Sequence, residues 1–283
     1  MMRGVDAHFH LWSYSAEEYG WIGDDMLPLR RNFMPDDLRR EMDDAGVRAA
    51  IAVQARQSLE ETRWLLRLAR QHSFIAGVVG WAPIASDDFP RQLEALTVDP
   101  TLKGLRHVLQ DDAGDAYMLR EDFNRGIEAL HGTGLVYDIL ILERQLPFAI
   151  QFVDRHPQQV FVIDHLAKPK IRSGEISRWR EQLRELARRQ NVWCKLSGMV
   201  TEANWERWTM DDLQPYVEVA LECFGPQRLM AGSDWPVCTL ACGYGRWWQI
   251  LREFVSPLTL AEQQDILEEN AARVYRLNMQ SHA

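Results

Sequence analysis

Residues 160–165 read Val-Phe-Val-Ile-Asp-His, a short apolar run that ends in two ionisable residues. Four apolar residues in succession suit a strand that is covered on both faces, as in a parallel sheet flanked by helices. Eight β-rich runs of this kind alternate with amphipathic helical patterns along the chain, which predicts parallel βαβ units. They are Val5–Leu11, Ala49–Val53, Ile75–Trp81, Leu102–His107, Leu135–Leu140, Val160–His165, Val192–Leu196 and Leu229–Ser233.

The number of units favours an α/β fold of the (β/α)8 TIM-barrel type. Eight units in 283 residues match the size of such a barrel, for which about 250 residues is typical. A doubly wound open sheet is the alternative, but it would favour a glycine-rich phosphate loop after an early strand, and none follows Val5–Leu11. Because the sequence contains no linker, we expect one barrel domain over residues 1–283.

Local signals mark helix ends and one long loop. Gly46 is expected to stop the first helix, and Ser58 with Glu61 forms a capping-box pattern at the start of the next one. The segment Ser13–Phe33 is too long for an ordinary loop between a strand and a helix. We therefore expect this segment to fold over the mouth of the barrel.

Composition and charge exclude several classes of protein. Hydrophobic residues make up 46% of the chain and charged residues 26%, which are ordinary globular values. The formal net charge of −9 offers no basic surplus for nucleic acid, and no apolar run approaches the roughly 20 residues that span a bilayer. Four cysteines without a C-x-x-C pair, and no apolar signal segment, predict a cytoplasmic protein without disulfides. The sequence leaves the oligomeric state open, a homo-oligomer included.

Two histidines, His8 and His10, lie on the first predicted strand with one residue between them. Because side chains alternate across a strand, both imidazoles point the same way, and we expect them to point into the barrel. Such a pair suits one metal ion or one substrate carbonyl. A pair of hydrogen-bonded core histidines is the plainer alternative.

Two further strands end in residues that would complete a site. In a barrel the chemistry lies at the carboxyl ends of the strands. Asp164 and His165 end the sixth strand, and Asp234 ends the eighth in the sequence Gly-Ser-Asp-Trp-Pro. Since strands one and eight are neighbours in a closed barrel, Asp234 should lie beside His8 and His10 and act as a general base. The alternative for Asp234 is an N-cap of the following turn.

Donor groups near other strand ends predict substrate contacts. The candidates are Arg106 and His107 on the fourth strand, Gln54 and Arg56 after the second, and Trp21 and Trp235 beside the proposed mouth. The polar groups suit a polyhydroxylated or carboxylated substrate or an oxyanion, and the tryptophans suit stacking on a sugar ring. For Arg56 a solvated surface position is an equal alternative.

The combination of His8-x-His10, His165 and Asp234 on strands one, six and eight resembles the amidohydrolase superfamily. Within it the chain is similar to the branch of sugar lactonases, and the similar stretches run nearly end to end. They are Asp6-Ala-His-Phe-His10, Val53-Gln-Ala-Arg-Gln-Ser58, Gly104-Leu-Arg-His107, Asp164-His-Leu-Ala-Lys-Pro169, Cys194-Lys-Leu-Ser-Gly198 and Gly232-Ser-Asp-Trp-Pro236. The resemblance implies a distorted barrel and a hydrolytic reaction, with Asp234 at the position of the catalytic aspartate.

The resemblance also bears on the metal. Binuclear relatives carry a carboxylated lysine at the mouth end of strand four and a histidine on strand five. Here Lys103 lies toward the opposite end of strand four, at least about 10 Å from the mouth, and strand five offers Tyr137 and Asp138 instead. We therefore expect one divalent ion, Zn²⁺ before others, or catalysis without a metal. The ligands we expect are His8, His10 and His165, with Asp234 as a further candidate.

The activity implied by the resemblance is hydrolysis of a sugar lactone, such as L-fuconolactone or L-rhamnonolactone, to its aldonic acid. Asp234 would take a proton from water and return it to the leaving alkoxide, while the carbonyl is polarised by a single metal at His8, His10 and His165, or by the histidines and Arg106 directly. The alternatives are a dicarboxylate lactonase, a nonoxidative decarboxylase of the same superfamily, and a barrel that only binds a sugar acid or metal. Because Arg56 and Arg106 are the only strand-end arginines, a neutral lactone is favoured over a dicarboxylate.

Overall fold

The computed structural model describes residues 3–111 and 114–279. Over these residues, eight parallel strands pair in chain order in a single sheet. They are β1 (Gly4–Phe9), β2 (Val47–Val53), β3 (Ile75–Gly80), β4 (Leu102–Val108), β5 (Val136–Leu140), β6 (Phe161–Ile163), β7 (Val192–Leu196) and β8 (Leu229–Ala231). Every predicted run overlaps a strand whose ends lie within two residues of the predicted ends, so the predicted (β/α)8 barrel is confirmed.

The main chain that follows β8 closes the sheet against β1. The amide of His10 donates to the carbonyl of Trp235 over 2.6 Å, and the amide of Asp234 donates to the carbonyl of His8 over 2.8 Å. These two hydrogen bonds fix the end of β8 directly beside the two histidines of β1. The closure therefore determines where the Asp234 carboxylate can lie.

Helices cover the outside of the sheet. Those of the described chain are α1 (Pro35–Ala45), α2 (Leu59–Gln71), α3 (Phe89–Thr97), α4 (Glu121–Ala129), α5 (Leu146–Arg155), α6 (Ser177–Leu186), α7 (Met199–Glu202), α8 (Met210–Phe224), α9 (Tyr244–Val255), α10 (Leu260–Gln264) and α11 (Asn270–Val274). Gly46 ends α1 with a φ of 68°, as predicted. At α2, Ser58 Oγ accepts from two helix amides, but the Glu61 carboxylate binds the amides of Ala55 and Arg56 instead of the Ser58 amide. Only the Ser58 half of the predicted capping box is present.

A bulge in β1 changes which of its residues face the barrel interior. Between Asp6 and Phe9, three steps along β1 correspond to two steps along β2, so β1 contains one extra residue. Ala7 packs in the interior cluster, Phe9 packs outside the sheet, and His8 reaches interior charged groups. The buried Asp6 carboxylate holds the bulge, because its Oδ1 accepts from the amides of His8 (3.1 Å) and Ser233 (2.8 Å).

Apolar side chains fill the end of the barrel interior that lies away from the carboxyl ends of the strands. We call this set the apolar layer. Its members on the strands are Val5, Ala7, Ala49, Ile51, Val53, Val79, Val136, Val162 and Met230. The last described helix, α11, packs against the same layer through Ala271 and Val274, and Tyr275 follows it into the interior. This part of the barrel interior is thus filled mainly by apolar packing.

The segment Ser13–Phe33 lies over the mouth, as predicted. Trp12 and Phe33 close its base with a pair of main-chain hydrogen bonds of 3.1 and 2.9 Å. The Trp12 indole also donates to the carbonyl of Arg31 over 2.9 Å. With its ends tied in this way, the segment contributes Trp21 and Met26 to the wall of a cavity at the carboxyl ends of the strands.

The four cysteines are free, which confirms the prediction of a chain without disulfides among them. Cys194, Cys238 and Cys242 are buried, and Cys223 is half-buried. Within residues 3–111 and 114–279, the helices are all too short or too polar to cross a membrane.

Candidate active site

A cavity of about 660 Å³ opens at the carboxyl ends of the strands. All three residues that the sequence predicts as catalytic, Arg106, His165 and Asp234, line this cavity, and His10 lines it as well. They come from strands or strand ends on different sides of the barrel. The closed sheet therefore brings together groups that lie far apart in the sequence.

Asp234 lies at the centre of a histidine cluster. Its Oδ1 is 3.3 Å from His10 Nε2 and 3.7 Å from the Nε2 atoms of both His8 and His165. Asp234 adopts a φ of 59°, a left-handed conformation that costs energy for a residue with a side chain. Its carboxylate thus faces the cluster, and the next short helix, which begins at Val237, has no side-chain cap. The N-cap alternative for Asp234 is wrong.

Burial sets the charge states of this cluster. It lowers the pKa of His165 to about 4 and the pKa of His8 well below its ordinary value, although nearby carboxylates oppose both shifts. Burial would raise the pKa of Asp234, but His165, His10 and His8 more than offset it and hold that pKa well below its ordinary value. At neutral pH the cluster therefore contains an ionised carboxylate among neutral imidazoles at His8 and His165.

A left-handed turn positions His165. Four successive residues from His165 to Lys168 have φ values of 53, 55, 57 and 48°. None of them is glycine, and the left-handed conformation costs roughly 1–2 kcal/mol per such residue. The turn is closed by the amide of Lys168, which donates to the carbonyl of His165 over 2.8 Å. This strain is concentrated at the cavity, where it directs the His165 imidazole toward Asp234.

The loop after β7 supports the other side of the His165 ring. His165 Nδ1 lies 2.8 Å from Ser197 Oγ. A Cβ atom on Gly198 would approach Nδ1 to 2.5 Å, and Gly198 has a φ of 63°. Only glycine meets both requirements without strain, so Gly198 lets the ring sit against the loop.

Beneath the cluster, buried charged groups from neighbouring strands form what we call the charged layer: Arg106, Asp138, Asp164 and Lys195. Asp164 accepts a hydrogen bond from Arg106 Nη1 over 2.9 Å and forms an ion pair with Lys195 Nζ at 2.9 Å. Lys195 also pairs with Asp138, whose two carboxylate oxygens are 2.8 and 2.9 Å from the Tyr275 hydroxyl. Two cations and two carboxylates thus balance each other, which a buried group of charges requires.

The charged layer contacts both nitrogens of His8. Lys195 Nζ and Asp164 Oδ1 each lie 3.3 Å from His8 Nδ1, while Arg106 Nη1 lies 3.4 Å from His8 Nε2. Burial would raise the pKa of Asp164, but Lys195, His8 and Arg106 hold it well below its ordinary value. The ionised Asp164 therefore sets the position of His8 and Arg106 together.

The histidine cluster fits one tetrahedral divalent ion. Zinc bonds of about 2.0–2.1 Å place neighbouring ligand atoms about 3.3 Å apart. His8 Nε2, His10 Nε2 and Asp234 Oδ1 are separated by 3.2, 3.3 and 3.7 Å. Because His10 Nδ1 lies 2.8 Å from the carbonyl of Val53, a proton on that nitrogen leaves Nε2 free as a ligand. His8, Asp164 and His165 form a second close set, but Asp164 is already committed to Arg106 and Lys195.

The predicted substrate contacts divide into two groups. Arg56 and Trp21 line the cavity, whereas the structure does not bring Gln54, His107 or Trp235 to its wall. Gln54 has a buried side chain, and its carbonyl accepts a hydrogen bond from Arg106.

His107 and Trp235 contact other aromatic side chains instead. The His107 ring stacks on Tyr117 outside the sheet, because residues next to each other on a strand face opposite sides and Arg106 faces inward. Trp235 is buried and packs edge-on against Phe33. Neither ring therefore lies on the cavity wall, and the Trp81 indole also donates to His107 Nδ1 over 3.3 Å.

Sequence reasoning assigned no role in the site to two of the four members of the charged layer, Asp138 and Lys195. Lys195 interrupts the apolar strand Val-Trp-Cys-Lys-Leu, and Asp138 interrupts Val-Tyr-Asp-Ile-Leu. A charged residue at an inward position of a buried strand is the signal that could have identified both. Lys103 lies at the opposite end of the barrel, where its ammonium donates to the carbonyl of Arg276 over 3.1 Å.

Comparison with known proteins identifies the family of the chain. The profile of the amidohydrolase family matches residues 5–277. An L-fucono-1,5-lactonase of Burkholderia multivorans is 41% identical over 96% of both chains, and one of Burkholderia ambifaria is 37% identical over 98% of this chain and 97% of its own. A crystal structure of an amidohydrolase from Burkholderia multivorans with bound zinc superposes with a TM-score of 0.92 at 40% identity, over 97% of this chain and 99% of that one. On this similarity and on its barrel, the chain belongs to the amidohydrolase family.

Proposed function

We propose that this protein hydrolyses a sugar lactone to the corresponding aldonic acid, with Asp234 as the group that activates water. The observation that carries the proposal is an ionised carboxylate whose Oδ1 lies within 3.7 Å of three imidazole nitrogens at the cavity. Relatives named L-fucono-1,5-lactonase share about two fifths of the sequence over nearly its full length. They support a neutral aldonolactone, such as L-fuconolactone or L-rhamnonolactone, as substrate.

The reaction needs a base for water and an acid for the departing ring oxygen. Asp234 takes a proton from water as the water oxygen bonds to the carbonyl carbon of the lactone. The tetrahedral intermediate then collapses, the bond from that carbon to the ring oxygen breaks, and Asp234 returns the proton to the alkoxide. Because the pKa of Asp234 is held low, its protonated form is a strong acid for the second step, and its carboxylate is a correspondingly weak base for the first step.

The negative charge that develops on the carbonyl oxygen needs nearby donors. Arg106 lines the cavity with its guanidinium held by Asp164, so it keeps its position without rearrangement during the reaction. We assign this role to Arg106 together with His165. Arg56 and Trp21 on the cavity wall are assigned to contact the parts of the sugar away from the lactone carbonyl.

A divalent ion, Zn²⁺ before others, would be held by His8, His10 and Asp234, with His165 beside them. When bound there, such an ion supplies Lewis acidity to the carbonyl and acidity to water. Elemental analysis of the purified protein and assays after chelator treatment distinguish the two sources of carbonyl polarisation. Loss of activity on chelation that the added ion restores would assign it to the metal, and unchanged activity would assign it to Arg106 and His165.

The test of the proposed function is acid release from a panel of aldonolactones, followed with a pH indicator against the spontaneous rate. We expect the wild type to open a few sugar lactones rapidly. Asp234→Asn should lower kcat/KM by about a thousandfold, since it removes both the base and the acid. The matched control is Asp87→Asn, because Asp87 is fully exposed and its nearest cation, Arg125, is 3.9 Å away.

Two results would overturn the proposal. Near-full turnover by Asp234→Asn would remove the assigned base. Carbon dioxide release from an aromatic acid, with no lactone accelerated, would replace lactone hydrolysis by decarboxylation. The cytoplasmic location and the oligomeric state stay predictions, which cell fractionation and light scattering test.

A further inference from the structure

The left-handed turn after β6 brings a second residue, Lys168, to the cavity. A turn with three residues per repeat places residues i and i+3 on the same side. His165 and Lys168 are related in this way, and both line the cavity. The strained turn therefore presents an ammonium next to the catalytic imidazole, and the reaction described above does not use it.

The nearest carboxylate to this ammonium is Glu202, at the end of α7. Lys168 Nζ and Glu202 Oε1 are 3.8 Å apart, and their side chains are 22% and 25% exposed. This separation is longer than a hydrogen bond, so each group keeps its capacity to bind a third polar group. Burial raises the pKa of Glu202, and the negative charges of Asp234 and Glu143 raise it further, while Lys168 opposes the shift.

An aromatic face adjoins the pair. Trp205 lines the same cavity, and its indole nitrogen already donates to the carbonyl of Thr201 over 2.9 Å. The ring therefore offers apolar surface and no free donor. A cation, a carboxylate and an aromatic face together match a sugar, whose hydroxyls both donate and accept while its C–H groups pack on rings.

The charges along the described cavity lining disfavour an anionic substrate. Its lysine and arginine side chains are Arg56, Arg106 and Lys168. Each has a carboxylate partner, which is Glu18 for Arg56, Asp164 for Arg106 and Glu202 for Lys168. A carboxylate on the substrate would therefore meet a protein carboxylate beside each of these cations and be repelled by it.

We propose that Lys168 and Glu202 form the subsite that binds ring hydroxyls of the lactone and that Glu202 excludes lactones carrying a carboxylate. This inference rests on the proposed function and specifies its substrate class. Lys168 donates to a hydroxyl oxygen, and a hydroxyl proton is donated to Glu202. A carboxylate accepts from Lys168 but has no proton for Glu202 and is repelled by it.

The test compares two substrates, a neutral aldonolactone and the lactone of an aldaric acid, whose other end is a free carboxylate. Glu202→Gln should lower kcat/KM on the neutral lactone at least tenfold, mainly through KM, because a charged acceptor is lost. It should raise kcat/KM on the acidic lactone at least tenfold, because Lys168 is then unpaired. Lys168→Met should lower kcat/KM on the neutral lactone by a similar factor and should not raise kcat/KM on the acidic lactone.

An ion pair remote from the cavity supplies the control. Arg184 and Glu222 are 2.6 Å apart, about half exposed, and do not line the cavity. Arg184→Met and Glu222→Gln should leave kcat/KM on both substrates within twofold of wild type, and thermal melting verifies that every variant is folded.

Two outcomes separate failure of the subsite from failure of the function. The wild type could open neutral lactones rapidly while folded Glu202→Gln changes kcat/KM on both substrates by the same factor. In that case the subsite assignment is wrong and the proposed function stands. If the wild type opens no lactone, the proposed function and the subsite fall together.

Discussion

The apolar layer and the charged layer occupy the same barrel, and at two strands their members lie two residues apart. On β5 the inward residues are Val136 and then Asp138, and at β6 they are Val162 and then Asp164, directly after the strand. The apolar members need only the right volume. The charged members need specific partners, because each buried charge without one is costly. One step of the alternation along a strand therefore separates packing from chemistry.

The difference shows that one layer of the barrel stabilises the fold while the other organises the active site. The apolar layer contributes transfer free energy and tolerates residues of similar volume. The charged layer holds Arg106 and His8 at fixed distances from Asp164, so the site is organised before substrate arrives. A variant in the first layer should change stability alone, whereas a variant in the second should change stability and activity together.

The largest expected effect on stability comes from Lys195→Met in the charged layer. The substitution leaves Asp138 and Asp164 buried beside each other without their shared cation. Breaking a buried ion pair from one side costs about 3–5 kcal/mol. Urea unfolding should show a loss of this size, and kcat/KM should fall at least about tenfold, because His8 and Asp164 lose a common contact.

The control for this variant is Lys103→Met at the other end of the barrel. Lys103 is partly exposed and donates only to a main-chain carbonyl, so its loss should cost less than about 1 kcal/mol. Equal losses of stability for Lys195→Met and Lys103→Met would contradict the view that the charged layer depends on pairing. Addition of Asp138→Asn to Lys195→Met should recover part of the stability, since it removes one uncompensated charge.

How much of this was predictable differs between the two layers. Apolar strand runs and their punctuation predict the eight strands and the closure, and closure predicts that Asp234 meets His8 and His10. The charged layer depends on contacts across strands, such as Lys195 on β7 with Asp138 on β5. Spacing within one strand does not specify such contacts.

Local irregularities explain the other differences. The extra residue in β1 lets Ala7 and His8 both face inward, and no turn or glycine signal in the sequence marks it. The left-handed turn at His165 lacks glycine altogether, so propensity argues against it. By contrast, the outward position of His107 follows from strict alternation with Arg106 and was available from the sequence.

A change of pH should have an effect on stability that is smaller than that of Lys195→Met. Burial lowers the pKa of His165 from its ordinary value of 6.5 to about 4, so the unfolded chain binds a proton between these values and the folded chain does not. Stability is therefore present above pH 6.5 and is lost as the pH falls toward 4. Between pH 7 and pH 5, protonation of His165 in the unfolded chain should lower the free energy of unfolding by on the order of 1–2 kcal/mol.

His165→Gln removes the titrating group and tests this assignment. Urea unfolding at pH 7 and pH 5 should show a smaller acid loss for the variant than for the wild type. The same acid loss in both proteins would mean that His165 is not the proton-sensitive member of the cluster. A variant of the apolar layer should show the wild-type acid loss, because it contains no titrating group.

The smallest expected effect on stability comes from a substitution in the apolar layer. Ile51 is fully buried in the apolar layer, and Ile51→Val deletes one methylene group there. This should lower the free energy of unfolding by about 0.5–1.5 kcal/mol. Lactone kcat/KM should stay within twofold of wild type, because Ile51 makes no charged contact. A tenfold loss of kcat/KM at unchanged stability would mean that packing in the apolar layer is transmitted to the charged layer, and that the two cannot be treated as independent.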